Sequence, residues 1–427
     1  MKKILFKILK IFSSLVLKKY KPEIIAITGS IGKTSSKEAI FSVLKNKFKV
    51  RTSFSNFNNE LGVPLTILGI KNAPGKFIFN WFYIFIKFLF LITFKIKKYP
   101  QKLILEMGAD HPGDIEYFTK FIPVNIGVLT KVSKVHIEFF NSLDEIFKEK
   151  RKIFSNMPKG SWAILNNDDE MIAKLKDELK YNVLTYGIKN ESDIWATDLQ
   201  MLRKGDVIGM NFKIRHNGNV VPVFLPDSLG MAQVYAFLSA VAVGIVEGLN
   251  LVEISILAKN YTSPKGRTHL LKAINDAYII DDTYNSSPDA TKLAIDLLSD
   301  VKTLVNGNEI VVLGDMLELG KDTKDCHEDV GKYIAEKNID FLFTIGKFAE
   351  DIYLGAIKNG FNPKNAKHFK DHVSLIKHLE TIIEKDSIIL VKGSQGARME
   401  KVVKEIMKNP GYAKNVLVRQ SDNWLDK

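Results

Sequence analysis

The stretch Gly29-Ser30-Ile31-Gly32-Lys33-Thr34-Ser35 sets two glycines, a lysine and three hydroxyls in an order that can bind phosphate. Glycines let backbone amides approach phosphate oxygens, Lys33 can neutralise the β- and γ-phosphates, and the Thr34 hydroxyl is a natural magnesium ligand. The general phosphate-loop pattern has a glycine five residues before Gly32, where Ile27 stands, so this loop is a variant. Glu106 ends the apolar run 103–105, and the carboxyl edge of a parallel sheet is the usual place for an acidic metal ligand. Asp315, Glu318, Ser394 and Arg398 fall in loops at the ends of later apolar runs, where a parallel sheet offers side chains to a ligand. The same residue types also serve as caps and surface ion pairs.

These residues need a scaffold, and the pattern supplies one. The β-rich run 23–28, the glycine loop and a helical pattern through Leu44 read as strand, loop and helix. Residues 193–224 alternate in a strand-like way, and the Asn166-Asn167-Asp168-Asp169 stretch is either a sheet-edge loop or a helix N-cap. After the Pro/Gly break at 263–267, apolar runs at 278–281, 309–313, 341–344 and 387–391 alternate with helical patterns, a doubly wound arrangement. The expectation is an α/β protein in three parts. An amphipathic helix spans 1–21. A central P-loop NTPase-like domain with a mostly parallel sheet spans 22–262 and carries an apolar insertion at 71–100. A C-terminal Rossmann-like α/β domain spans 263–427.

Composition narrows the function classes. At 427 residues, with 46% apolar and 26% charged residues, the chain is neither a small stapled module nor globally disordered. Cys326 is the only cysteine, which excludes an intramolecular disulfide and any zinc site with two thiolates. The net charge of +13 is localised. Residues 1–21 hold seven lysines and no acid, and residues 71–102 hold seven more, again with no acid. A nucleic-acid groove needs basic residues spread through a folded surface, so no nucleic-acid partner is expected.

Both basic segments are also apolar. Lys3, Lys7, Lys10, Ser14 and Lys18 form a polar helical stripe opposite Ile4, Leu5, Ile8, Leu9, Phe12, Leu15 and Val16. Such a helix lies in a membrane headgroup plane or docks on its own domain; a secretory signal is disfavoured because Lys7 and Lys10 interrupt the apolar region. Residues 77–94 are apolar enough in length for a transmembrane helix. A single span would separate the loop at Lys33 from Glu106 and His136, so an in-plane or re-entrant helix is expected, with a self-associating hydrophobic hairpin as the alternative.

The loop Ala26-Ile27-Thr28-Gly29-Ser30-Ile31-Gly32-Lys33-Thr34 resembles the ATP loop of the Mur ligases, the amide-forming synthetases of peptidoglycan assembly. The stretches 56–68 (NFNNELGVPLTIL), 105–115 (LEMGADHPGDI), 281–289 (DDTYNSSPD), 313–320 (LGDMLELG) and 391–400 (VKGSQGARME) are similar to the branch of that family that adds D-alanyl-D-alanine to a UDP-N-acetylmuramoyl-tripeptide. The resemblance implies an ATP- and Mg2+-dependent ligase working through an acyl phosphate. It implies Gly29, Ser30, Gly32, Lys33, Thr34, Ser35, Arg267, Asp282 and Asn285 for ATP, and Thr34, Glu106, His136 and Lys150 for metal. Catalysis falls to Lys33, His136 and Lys150, the last as the family's carbamylated lysine with Lys148 as second choice. Asn58, Asn59, Asp315, Glu318, Ser394 and Arg398 are implied for substrate.

Departures from the family pattern matter too. Its helix motif G-x-H-N-x-x-N reads Gly230, Ala232, Gln233 and Ala236 here, so the usual adenine-contacting asparagine is absent. The family also carries a UDP-binding domain ahead of the loop, where 22 residues precede the first strand here. The two lysine-flanked segments are expected to stand in for it by holding a cytoplasmic enzyme, peripherally, on the inner face of the membrane. A synthetase with a lipid-linked acceptor or a polyglutamate-type amine, and a non-enzymatic nucleotide-gated membrane scaffold, are the alternatives.

Overall fold

The computed structural model describes residues 2–53, 57–72, 78–133, 140, 142–421 and 424. His136 and Phe77 lie outside the described residues. Two compact units form: residues 1–199 with 211–224 and 231–261, and residues 200–210 and 225–230 with 262–427.

The first unit is built on β1 (Glu23–Thr28), β2 (Val50–Thr52), β3 (Lys102–Glu106), β4 (Ile126–Leu129), β5 (Trp162–Asn166) and β6 (Asn182–Gly187). They pair in parallel in the order β2-β3-β1-β4-β5-β6. Strands β1, β3 and β4 are buried almost end to end, as parallel strands covered on both faces must be, and this explains their unbroken apolar runs. The alternating stretch forms β7 (Ile194–Lys204), β8 (Val207–His216) and β9 (Asn219–Pro226), which continue the sheet beyond β6.

In the second unit β10 (His269–Lys272), β11 (Tyr278–Asp282), β12 (Glu309–Gly314), β13 (Phe341–Ile345), β14 (Ala366–Phe369) and β15 (Ile388–Lys392) make a six-stranded sheet of order β10-β11-β15-β12-β13-β14. Only β10 runs antiparallel to its neighbour. The sequence reading has no strand at β10 or β14. The latter is four residues long and carries Lys367 and His368, too short and polar to stand out as an apolar run. Overall the chain is α/β with a large, mostly parallel sheet and a second sheet, as expected.

Helix α1 (Lys2–Tyr20) docks on its own unit, but with only part of its apolar surface. Leu9, Val16 and Leu17 are buried beside α3 (Gly62–Leu68), whereas Ile4, Ile8, Ile11 and Leu15 remain exposed. The insertion forms α4 (Ile78–Thr93), packed on α1 through the stacked rings of Phe12 and Phe88, 3.7 Å apart. Among the described residues no helix is long and apolar enough to cross a membrane. The 16 residues of α4 span about 24 Å, short of a hydrocarbon core of about 30 Å.

A candidate ATP and magnesium site at the carboxyl edge of the first sheet

The strand register brings the first chemistry together. Ile27 of β1 pairs with Glu106 of β3, and the Met107 amide donates to the Ile27 carbonyl at 2.9 Å, so the glycine loop and Glu106 leave the same sheet edge side by side. Behind the loop, α2 (Lys33–Leu44) begins with Gly32 at its N-cap in the left-handed region (φ 87°) and with no side-chain cap. That leaves a helix N-terminus aimed out of the loop, the arrangement that receives phosphate. Gly29 cannot be replaced without displacing the loop, because a Cβ there would lie 2.0 Å from Thr130 Oγ1. Ser30 is fixed by its amide on the Lys131 carbonyl (2.6 Å) and by its hydroxyl, which donates to the Ser133 carbonyl at 3.1 Å. The Lys33 ammonium folds over the loop and donates to the carbonyls of Gly29 (2.7 Å) and Ser30 (3.3 Å).

Glu106 is 3% exposed. Its Oε1 accepts from Thr34 Oγ1 at 3.2 Å and from Asn58 Nδ2 at 3.3 Å. Its Oε2 is buried without a hydrogen-bond partner, with the ammonium of Lys37 at 3.7 Å. A buried carboxylate oxygen left in that state is costly unless a cation approaches it. Magnesium takes one or two carboxylates plus hydroxyl, water and phosphate oxygens, so Thr34 and Glu106 beside a phosphate loop are a donor set it can use. Among the described residues no group of three His, Cys, Asp or Glu side chains could hold a metal ion by itself. Lys37 went unnoticed in the sequence. Its signal is its position one helical turn after Lys33, on the same face of α2.

Lys150 ends the helix Leu143–Lys150 and is 2% exposed, whereas Lys148 is exposed. Burial, and next the charge of Lys33, pushes the Lys150 ammonium down to about 7, against partial compensation from Asp110 and Asp114. Lys152, where the family pattern has an acid, bonds Glu116 (3.1 Å) and Glu149 (2.9 Å).

Several residues make bonds that hold local structure. Asn59 Oδ1 accepts from the Leu61 and Gly62 amides at the start of α3. Asp169 caps the helix Glu170–Ala173 and accepts from the Val132 amide, while Asp168 gathers the amides of Ile188, Lys189 and Asn190 and the Tyr235 hydroxyl. Of the two readings left open for this stretch, the cap is observed. Gln233, on the altered helix Met231–Val246, is buried and accepts from the Tyr261 hydroxyl at 2.6 Å.

In the second unit the C-terminal strand ends form a cavity of about 450 Å³ lined by Asn285, Leu317, Glu318, Ser394, Arg398 and Trp424. Ser394 accepts from the Leu317 amide at 2.9 Å, and Arg398 donates to Glu400 at 2.5 Å and to the Trp424 carbonyl at 2.9 Å. Asp315 Oδ1 accepts from the amides of Phe348 (2.9 Å) and Ala349 (2.7 Å), at the start of the helix Ala349–Lys358. Asp282 is paired with Lys392 at 2.6 Å and accepts from the Thr268 amide. The Arg267 guanidinium lies over the Tyr284 ring, 4.1 Å from its centroid. Sequence reasoning assigned no role to Lys392, Glu400 or Trp424, although the first two stand inside a quoted motif.

Comparison with known proteins agrees with this architecture. Residues 86–244 match the Mur ligase middle domain and residues 266–395 the Mur ligase glutamate ligase domain. The UDP-N-acetylmuramoyl-tripeptide--D-alanyl-D-alanine ligase of Buchnera aphidicola subsp. Baizongia pistaciae is 32% identical over 388 residues, covering 90% of this chain and 75% of that one. The ligase of the same name from Bacillus subtilis is 27% identical, covering 91% and 76%. Among solved structures, MurF from Acinetobacter baumannii superposes with a TM-score of 0.78 at 25% identity, covering 94% of this chain and 80% of that one. The MurF ligase from Thermotoga maritima in complex with ADP gives 0.74 at 25% identity, covering 94% and 83%. On its sequence, its two sheets and this likeness, the chain belongs to the Mur ligase family of ATP-dependent, amide-forming ligases.

Proposed function

We propose that this chain joins D-alanyl-D-alanine to the terminal carboxylate of a UDP-N-acetylmuramoyl-tripeptide-type acceptor, with ATP and Mg2+, in peptidoglycan precursor synthesis. The observation that carries the site is Glu106: one oxygen held by Thr34 and Asn58, the other buried without a hydrogen-bond partner, next to the phosphate loop.

The chemistry follows from what amide formation requires. A carboxylate is a poor acyl donor, so its oxygen attacks the γ-phosphorus of ATP, ADP leaves, and the resulting acyl phosphate is attacked by the amine of the dipeptide with release of phosphate and a proton. The protein's part is to hold two anions in line and offset their charge. The Gly29–Gly32 backbone and the α2 N-terminus cradle the phosphates, and Lys33 exchanges its two loop carbonyls for phosphate oxygens. Thr34 and Glu106 would hold magnesium, which supplies charge neutralisation on the phosphates. Burial moves the Lys150 amine toward its uncharged form, which adds carbon dioxide and loses a proton to become a carbamate, an anion where a lysine alone gives a cation. In the second unit Asn285, Glu318, Ser394 and Arg398 line the cavity suited to the dipeptide, with the Arg398 guanidinium for its carboxylate.

The test is ADP release by the purified chain with Mg2+ and UDP-N-acetylmuramoyl-tripeptide, with and without D-alanyl-D-alanine, and with Lys33→Ala as control. Release that needs the dipeptide and disappears in the control is expected. Release driven equally by glutamate or by no amine would contradict the assignment.

A further inference from the structure

We propose that α1 and α4 together form a platform that binds an anionic phospholipid surface in plane. Docking accounts for one side of α1 only. Its exposed apolar residues, Ile4, Ile8, Ile11 and Leu15, recur at spacings of 4, 3 and 4, which is a single stripe along the helix. That stripe borders α4, because Phe12, one position after Ile11, stacks on Phe88 and approaches Phe85. Helix α4 buries Ile84, Phe88 and Leu91 and exposes Phe82, Ile86, Leu89 and Phe90, so its outward face is also apolar.

The helices run in the same direction. Phe12 meets Phe85 and Phe88, and one to two turns later Lys19 donates to the carbonyls of Leu91, Ile92 and Phe94 while the Tyr20 hydroxyl donates to those of Leu91 and Phe94. Their C-terminal ends therefore coincide, and the exposed lysines there, Lys18, Lys21, Lys95, Lys97 and Lys98, gather at one end of the apolar face. Neither segment contains an acid. An apolar face whose own two segments carry lysines and no acid is complementary to a bilayer with anionic headgroups. A second copy laid on the same face would bring cations against cations with no carboxylate between them.

The full chain is floated with vesicles of phosphatidylcholine alone and of phosphatidylcholine with phosphatidylglycerol. Partition onto the anionic vesicles is expected to exceed that onto neutral ones at least about tenfold and to fall as salt is raised. Ile8→Asp with Ile11→Asp, Phe82→Asp and Phe90→Asp should abolish partition while leaving turnover on soluble acceptor unchanged. Should that variant not fold, Lys18→Gln with Lys21→Gln, Lys97→Gln and Lys98→Gln keeps the apolar face and should still lose at least about tenfold. Equal partition onto neutral and anionic vesicles, or none onto either, would overturn the proposal. So would a dimer in vesicle-free solution that the aspartate variant dissolves, which would assign the face to a second copy. Partition is read without substrate, so its outcome is independent of the ligase chemistry.

Discussion

Glu106 and Asp282 occupy equivalent places in two different sheets, each ending a buried parallel strand, yet they are partnered in opposite ways. Across the ladder from Asp282 stands Lys392, and the pair closes at 2.6 Å within the protein. Across from Glu106 stands Ile27, and Oε2 has the ammonium of Lys37 at 3.7 Å, an ion pair without a hydrogen bond. The neighbour on the adjacent strand thus decides whether a sheet-edge carboxylate closes an ion pair across the ladder. The first carboxylate is predicted to matter for turnover and the second for stability.

The contrast breaks most directly at Glu106. Glu106→Gln keeps an oxygen for Thr34 and Asn58 but removes the charge, and should lower kcat by about a thousandfold, some 4 kcal/mol of barrier, while unfolding free energy moves by less than about 1 kcal/mol. Steady-state ADP release and denaturant melts check both halves. Asp282→Asn should do the reverse to stability: it strands Lys392, which is 2% exposed, and should cost about 3 kcal/mol, read as a shift in urea midpoint without a change in slope.

Asp281, beside Asp282, sharpens the comparison through pH. Burial pushes its carboxyl up to about 7, although Thr283 donates to Oδ1 through both its hydroxyl (2.6 Å) and its amide (3.2 Å). Because the folded-state value is raised above the unfolded one, the native state holds the proton longer. The associated stability is full below pH about 4 and is lost as pH rises through about 7. Asp281→Asn should remove that decline, so the difference in melting temperature between variant and parent should grow from pH 4 to pH 8. Smallest is Asp169→Ala, which removes a helix cap and the tie to Val132 and should cost about 1 kcal/mol with little change in kcat, in line with a positioning role for this stretch.

Much of this was legible in the sequence because it is local. The glycine loop between a strand and a helix, and Glu106 at the end of an apolar run, depend on neighbours a few residues away, and the structure places both as read. What was hidden depends on residues far apart in the chain. Lys392 meets Asp282 across 110 positions, and Asp168 spends both oxygens on a loop some 20 residues on, which no spacing rule announces. Carboxylates and carboxamides in loops serve binding and capping alike, and that Asp315 and Asn59 accept from nearby backbone amides is visible only in the fold. For α1 periodicity gave the lysine stripe but could not divide the apolar arc into a buried and an exposed half, because that division is set by α3 and α4.

The most direct test of amide formation through an activated carboxylate uses acceptor tripeptide whose terminal carboxylate carries 18O, with ATP, Mg2+ and D-alanyl-D-alanine, and mass analysis of the released phosphate. One 18O per phosphate, together with a product heavier than the labelled acceptor by the dipeptide less one H2 18O, is the predicted result. Unlabelled phosphate alongside the same product would contradict carboxylate activation by ATP.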